Sequence, residues 1–285
     1  MQWKGRRKST NLDDRRGMSG KGKLAAGGGI IAIIVLLLQL FGGETGQSIA
    51  PLLDQFSTVQ EAAPEQRSLT PEEQEVADFM ATVLADTEDI WSQLFSENGL
   101  GTYQEPTLVL FTDQVDTGCG RATAAAGPFY CPSDRQLYMD MAFFVELQRD
   151  FGAEVGAFTI AYVTAHEIGH HVQTLMGTSA QVRKLQSQAN TTQANKLSVA
   201  QELQADFYAG VFAHYEQKYL DQRDIELALA AAQAVGDDNI QRRFQGEVRP
   251  DTFTHGTSAQ RKQWFLKGYQ TGDLQEGDTY KQVLQ

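Results

Sequence analysis

The chain has 285 residues, of which 41 % are hydrophobic, enough for one large domain or two small ones with a sizeable buried core. Its formal charge of −12 is unevenly placed: residues 1–23 hold eight basic side chains against Asp13 and Asp14, a net +6, which leaves −18 for the remainder. A basic start beside an acidic body points to a membrane or a nucleic acid, and the residues that follow exclude the second.

Residues 24–41 (LAAGGGIIAIIVLLLQLF) carry no charge and a single polar side chain, Gln39. As a helix this run rises about 27 Å, close to the roughly 30 Å apolar core of a bilayer. A cleavable signal peptide would have a shorter apolar region followed by a small-residue cleavage site. The one such site, Ser48-Ile49-Ala50, runs into Pro51, and no Cys follows for a lipid anchor. The expectation is a basic cytoplasmic tail at 1–23, a single-pass signal anchor at 24–41, a juxtamembrane linker at 42–69 and an extracytoplasmic domain at 70–285. The basic residues then face anionic lipid, so the bilayer is the expected partner and nucleic acid is not.

Thr70-Pro71-Glu72-Glu73 has the form of a capping box with Pro at the first helical position, and the apolar spacing from Val76 to Phe95 predicts a long amphipathic helix ending at Asn98-Gly99. Residues 107–111 (TLVLF) and 136–140 (QLYMD) read as strands, the second as an edge strand able to pair with an extended peptide. Between them lie the only cysteines, Cys119 and Cys131. Without a Cys-x-x-Cys spacing they are no redox or zinc motif; in an oxidising compartment they are expected to form a disulfide. From 142 onward the pattern is helical: 142–150, 154–176, 198–219, 223–235 and a final helix from about 257, with 181–193 polar and either helical or mobile. The whole reads as an α+β fold, mainly helical, with a small antiparallel sheet, preceded by one transmembrane helix.

The segment 158–177 (FTIAYVTAHEIGHHVQTLMG) carries the chemistry. On a helix His166 and His170 lie on one face, so both imidazoles reach one Zn²⁺, and Glu167 can hold and deprotonate a water at that metal. Gly169 is a costly residue in mid-helix unless another element approaches there. His171 points about 100° away from His170 and is expected to pack or hydrogen-bond. A catalytic zinc takes a third protein ligand. The extended motif with a third His fails, because Gln173 and Met176 occupy its positions. Glu202, in a largely apolar helix, is the favoured third ligand, with Asp206 one turn on to support a ligand His; Glu216 and Glu226 stay open as weaker choices. His255 sits in a loop before the last helix and is a candidate donor to an oxyanion, as are Tyr208 and Arg261.

The start MQWKGRR, the anchor, the cysteine segment, AYVTAHEIGHHVQ, ELQAD and FTHGTSAQR together resemble the bacterial "putative neutral zinc metallopeptidase" family, over nearly the whole chain. The resemblance implies a gluzincin-type site with one zinc per chain on His166, His170 and Glu202, with Glu167 as acid/base. It also implies a mainly helical, zincin-like fold and peptide-bond hydrolysis by a zinc-activated water; with the anchor and the cysteine pair, the expectation is a protease of the bacterial inner membrane that cuts periplasmic polypeptides. A membrane-tethered binding or scaffold protein with a structural or vestigial zinc site is the competing expectation.

Overall fold

The computed structural model describes residues 1–16 and 69–284. The expected anchor and nearly all of the linker lie outside the described residues, and among the described residues no helix is long and apolar enough to cross a bilayer. The chain enters helix α1 (Pro71–Glu97) as its sequence implies. The Thr70 hydroxyl accepts from the Glu73 amide, the Glu73 carboxylate accepts from the Thr70 amide, and Asn98 closes the far end.

Strands β1 (Leu12–Asp14), β2 (Thr107–Phe111), β3 (Gln114–Thr117), β4 (Gly120–Thr123), β5 (Phe129–Cys131) and β6 (Gln136–Asp140) form a four-stranded sheet in the order β1-β2-β6-β5 and a separate β3-β4 hairpin. The larger sheet is mixed rather than antiparallel: β1 with β2 and β2 with β6 are parallel, and β5 alone runs against β6. The cause is legible in β2, whose residues Leu108 to Phe111 are all buried, the continuous apolar run of an interior strand. The stretch that holds the hairpin and β5 supplies the long connection that a parallel pair needs. A second correction follows: Gln136–Asp140 is not an edge strand but lies between β2 and β5. Cys119 and Cys131 are joined as a disulfide that ties the hairpin to β5.

The outer strand β1 comes from the chain's start. Residues 1–16, read from the sequence as part of a basic tail, are packed on the domain. The Arg6 guanidinium lies 2.7 Å from Asp86 of α1 and 2.8 Å from Glu216. Both carboxylates are buried.

The remaining helices are α2 (Ala142–Phe151), α3 (Ala157–Leu175), α4 (Thr178–Gln186), α5 (Thr191–Tyr215), α6 (Gln222–Ala234), α7 (Asp237–Phe244), α8 (Ser258–Thr271) and α9 (Thr279–Val283). Every residue of α5 from Leu197 to Ala213 is buried, so this helix is the spine against which α3, α4, α8 and α9 pack. Glycines allow the closest approaches. A Cβ on Gly169 would lie 3.0 Å from the Ala205 backbone where α3 crosses α5, which answers the cost of a mid-helix glycine. On the other side of α5, a Cβ on Gly210 would lie 2.0 Å from the Phe265 carbonyl oxygen, and one on Gly268 2.1 Å from that of Phe207. Replacing Gly210 by Ala should therefore cost at least about 2 kcal/mol, although Ala favours a helix by about 1 kcal/mol. A urea melt of the Gly210→Ala variant at unchanged m-value checks this.

Candidate metal centre

A helix buried on all sides cannot carry charged residues without partners. The buried stretch of α5, Leu197 to Ala213, carries two, Glu202 and Asp206, and the crossing at Gly169 sets both against His166 and His170 of α3. One nitrogen from each His and one Glu202 oxygen all lie within 4.8 Å of one another. The two inward atoms are the Nε2 nitrogens, 3.2 and 3.3 Å from the Glu202 carboxylate. Glu216 is held by Arg6 and Glu226 by Gln222, away from this group.

The outward nitrogens show which way each ring is turned. His166 Nδ1 donates to Asp206 Oδ1 at 2.9 Å. His170 Nδ1 lies 3.0 Å from Gln173 Oε1, and the orientation of that amide is dictated by its other end, which donates to the Gln201 carbonyl and to Gln204. Each Nδ1 is thereby committed outward, and Nε2, which faces Glu202, is the nitrogen that a metal would take in place of a proton. Asp206, with no solvent exposure, also accepts from Tyr162 at 2.6 Å and from Arg261 at 2.7 and 2.9 Å. Burial pushes its carboxyl pKa up, yet Arg261 and His166 outweigh this and hold it down at about 2. Arg261 thus stands behind the centre, bound to Asp206, and does not serve as an oxyanion donor. Tyr208 is also removed from that role: it packs edge-on against Trp91 and its hydroxyl meets Met176.

Glu202 is buried, which favours its neutral form, but His170 and His166 hold it ionised, the state a metal ligand requires. Glu167 makes no hydrogen bond to another described residue, and burial raises its pKa against the opposing pull of His170 and His166. His166, Glu167, His170 and Glu202 retain 5–8 % exposure, so solvent reaches them through a small opening. The loop bearing His255 lies against α5: a Cβ on Gly256 would meet Val199 and Leu203 at 3.2 and 3.3 Å. His255 Nδ1 is 3.1 Å from Asp237, and the amides of residues 254, 255 and 256 all donate to the same carboxylate. Burial lowers the His255 pKa, while Asp237 and then Glu202 raise it to a net increase.

Gln173, Tyr162 and Asp237 were not foreseen as parts of the site. Gln173 stands one turn after His170 and could have been flagged as an amide within a buried helix. Asp237 begins a helix that the sequence pattern did not suggest, 18 residues before His255. A further hydroxyl, Tyr280 Oη at the start of α9, is buried without a hydrogen-bond partner, and the Glu202 charge bears on it.

Two imidazole nitrogens and one ionised carboxylate oxygen, converging from two helices with their outer atoms already satisfied, fit Zn²⁺ in donor type and number. The described residues thus bring together a two-His, one-carboxylate cluster that could hold one metal ion, with the Glu167 carboxyl beside it. The chain belongs to the family described as "putative neutral zinc metallopeptidase", whose sequence profile matches residues 1–280. It is 45 % identical over 296 aligned residues to the uncharacterized Escherichia coli K12 protein YpfJ, covering 98 % of this chain and 99 % of that one. It is 44 % identical over 203 residues to the uncharacterized Mycobacterium tuberculosis H37Rv protein Rv2575, covering 67 % of this chain and 66 % of that one. No solved structure matches the chain significantly.

Replacing Gln173 by Leu removes the acceptor that fixes His170 while leaving all three ligands. Zinc affinity should fall about 10- to 100-fold, read by chelator competition, with the melting temperature of the metal-free protein nearly unchanged.

His171 faces the other way, as expected. Its Nε2 lies 2.6 Å from the Gln104 carbonyl and its Nδ1 3.1 Å from the Tyr130 hydroxyl, between the rings of Tyr103 and Tyr130. Burial drives its pKa down to about 4. The folded state therefore binds fewer protons than the unfolded one, so stability is lost as pH falls from about 6.5 to about 4, by about 3 kcal/mol. Thermal melts across that window should fall steeply for the wild type and less steeply for His171→Gln.

Proposed function

We propose that the chain is a zinc-dependent endopeptidase that hydrolyses peptide bonds of extracytoplasmic polypeptides. The observation that carries this reading is Glu167, an acceptor without a partner among the described residues, set beside the His166–His170–Glu202 cluster. A purely structural zinc site has no use for such a base, and its closed ligand shell usually has four protein ligands rather than three.

Zinc held by those three side chains supplies a Lewis acid that polarises a carbonyl and makes water acidic. The chain's own residues supply the rest. Glu167 accepts the proton of the attacking water, for which a carboxyl pKa raised by burial is suited, and passes it to the departing amine. In its protonated form, which Asp237 and then Glu202 favour against burial, His255 donates from Nδ1 to Asp237 and can donate from Nε2 to the negative oxygen of the tetrahedral state. Asp237 orients that ring through the same loop whose three amides it binds. Strand β5 is an outer strand of the sheet, and Tyr130 within it contacts His171 of the zinc-binding helix. This edge, rather than β6, is positioned to add an extended substrate segment by backbone hydrogen bonds. The Cys119–Cys131 disulfide supports a location outside the cytoplasm, and the apolar run at 24–41 supports attachment to a bilayer.

Glu167→Gln should keep about one zinc per chain and lose at least about 10²-fold in the cleavage of a denatured protein. His255→Ala should lower kcat by about 10²- to 10³-fold with a smaller change in KM. Activity retained in Glu167→Gln, or a wild-type chain loaded with zinc that cleaves nothing in a mixture of denatured proteins, would refute the assignment.

A further inference from the structure

We propose that residues 1–16 remain docked on the catalytic domain in the membrane-bound protein, so that both lie on the same side of the bilayer. This replaces the arrangement expected from charge alone, in which the start of the chain and the domain face opposite compartments. It does not depend on what the metal centre catalyses.

Three observations support it. First, residues 12–14 are a strand of the main sheet, in parallel register with Leu108, Val109 and Leu110, and the amide of Arg15 extends the pairing to the Leu110 carbonyl at 2.8 Å. Removing them would expose the buried central strand β2 as a new sheet edge, an association hazard. Second, Arg6 is the cation between Asp86 and Glu216. Even with Arg6 in place, burial and the Glu216 charge raise the Asp86 pKa to about 8. Without it, two buried carboxylates would face each other, and an uncompensated buried charge is strongly destabilising. Third, six of the eight basic residues that the sequence assigns to lipid have carboxylate partners: Arg6 as above, Lys4 with Glu75, Arg7 with Glu88 and Asp89, and Lys8 with Asp78. Arg15 and Arg16 pair with the neighbouring Asp13 and Asp14. For Lys4, Arg6, Arg7 and Lys8, the positive start and the acidic body are thereby complementary within one domain.

The Arg16 guanidinium donates to the Glu73 carbonyl at 2.7 Å, so the residue that precedes the apolar segment is held at the first turn of α1. Residues 17–68 contain one uncharged apolar run of 18 residues, enough for one crossing and too short for two. A single crossing by that run would put residues 1–16 and the domain on opposite sides, the arrangement that the proposal excludes.

The test uses the full chain in its native membrane. Lys4→Cys and Val145→Cys, at positions 75 % and 63 % exposed, are labelled separately with a membrane-impermeant maleimide, before and after permeabilisation. A third variant, Lys8→Cys with Asp78→Cys, replaces an exposed ion pair of 2.7 Å and is treated with a short, membrane-permeant bismaleimide, the linked peptides being identified by mass spectrometry. The expected result is that the thiols introduced at positions 4 and 145 become reactive in the same compartment and that positions 8 and 78 cross-link in the membrane fraction. Labelling on opposite sides would overturn the proposal, and so would labelling on one side without the cross-link.

Discussion

Asp206 is the residue on which the arrangement of this domain turns. It is an ionised carboxylate without solvent, and such a charge survives only where protein donors replace water. Four hydrogen bonds do so: one from Tyr162, one from His166 and two from Arg261. These donors come from α3 and α8, so satisfying one charge draws three helices together around a single point. The glycines at 169, 210 and 268 permit the approach that the hydrogen bonds require. The consequence is chemical as well as mechanical, because the hydrogen bond from Nδ1 of His166 to Asp206 turns Nε2 toward Glu202, where a metal would displace its proton.

A second buried-charge problem is solved at the far end of α5, and its solution comes from the start of the chain. Asp86 and Glu216 are brought together by the packing of α1 near the end of α5, and Arg6 is inserted between them. The same guanidinium stacks over the Tyr219 ring, with its carbon 3.5 Å from the centroid. Acidic residues on α1, basic residues in 1–16 and the parallel strand β1 thus behave as one unit separated in sequence by a long insertion. Composition alone saw the two charges and assigned each to a different side of a membrane.

The clustering of His166, His170 and Glu202 was legible because helical geometry alone puts the two His on one face, and because Glu202 is a charge in an apolar helix. The helices themselves were legible from caps and apolar spacing, with boundaries displaced by a few residues. What could not be read was pairing at a distance. The sequence shows neither that β2 has parallel neighbours nor that β1 exists, since three residues with no apolar alternation form a strand only because β2 offers them an edge. Arg261 and Tyr208 were open candidates for the oxyanion donor alongside His255, and in the structure one is bound to Asp206 and the other lies in the core beside Trp91. His255 was found by its place in a loop, but the aspartate that orients it lies on a short polar helix with no apolar signal to announce it.

The central claim is that zinc binds on His166, His170 and Glu202, with Asp206 and Gln173 acting only through the two imidazoles. A crystal structure of the zinc-loaded protein, with anomalous scattering recorded across the zinc absorption edge, tests it most directly. The account predicts one anomalous peak per chain, about 2.0–2.2 Å from both Nε2 nitrogens and a Glu202 oxygen. A peak ligated by Asp206, by His171 or through Nδ1, or no peak at this cluster, would contradict it.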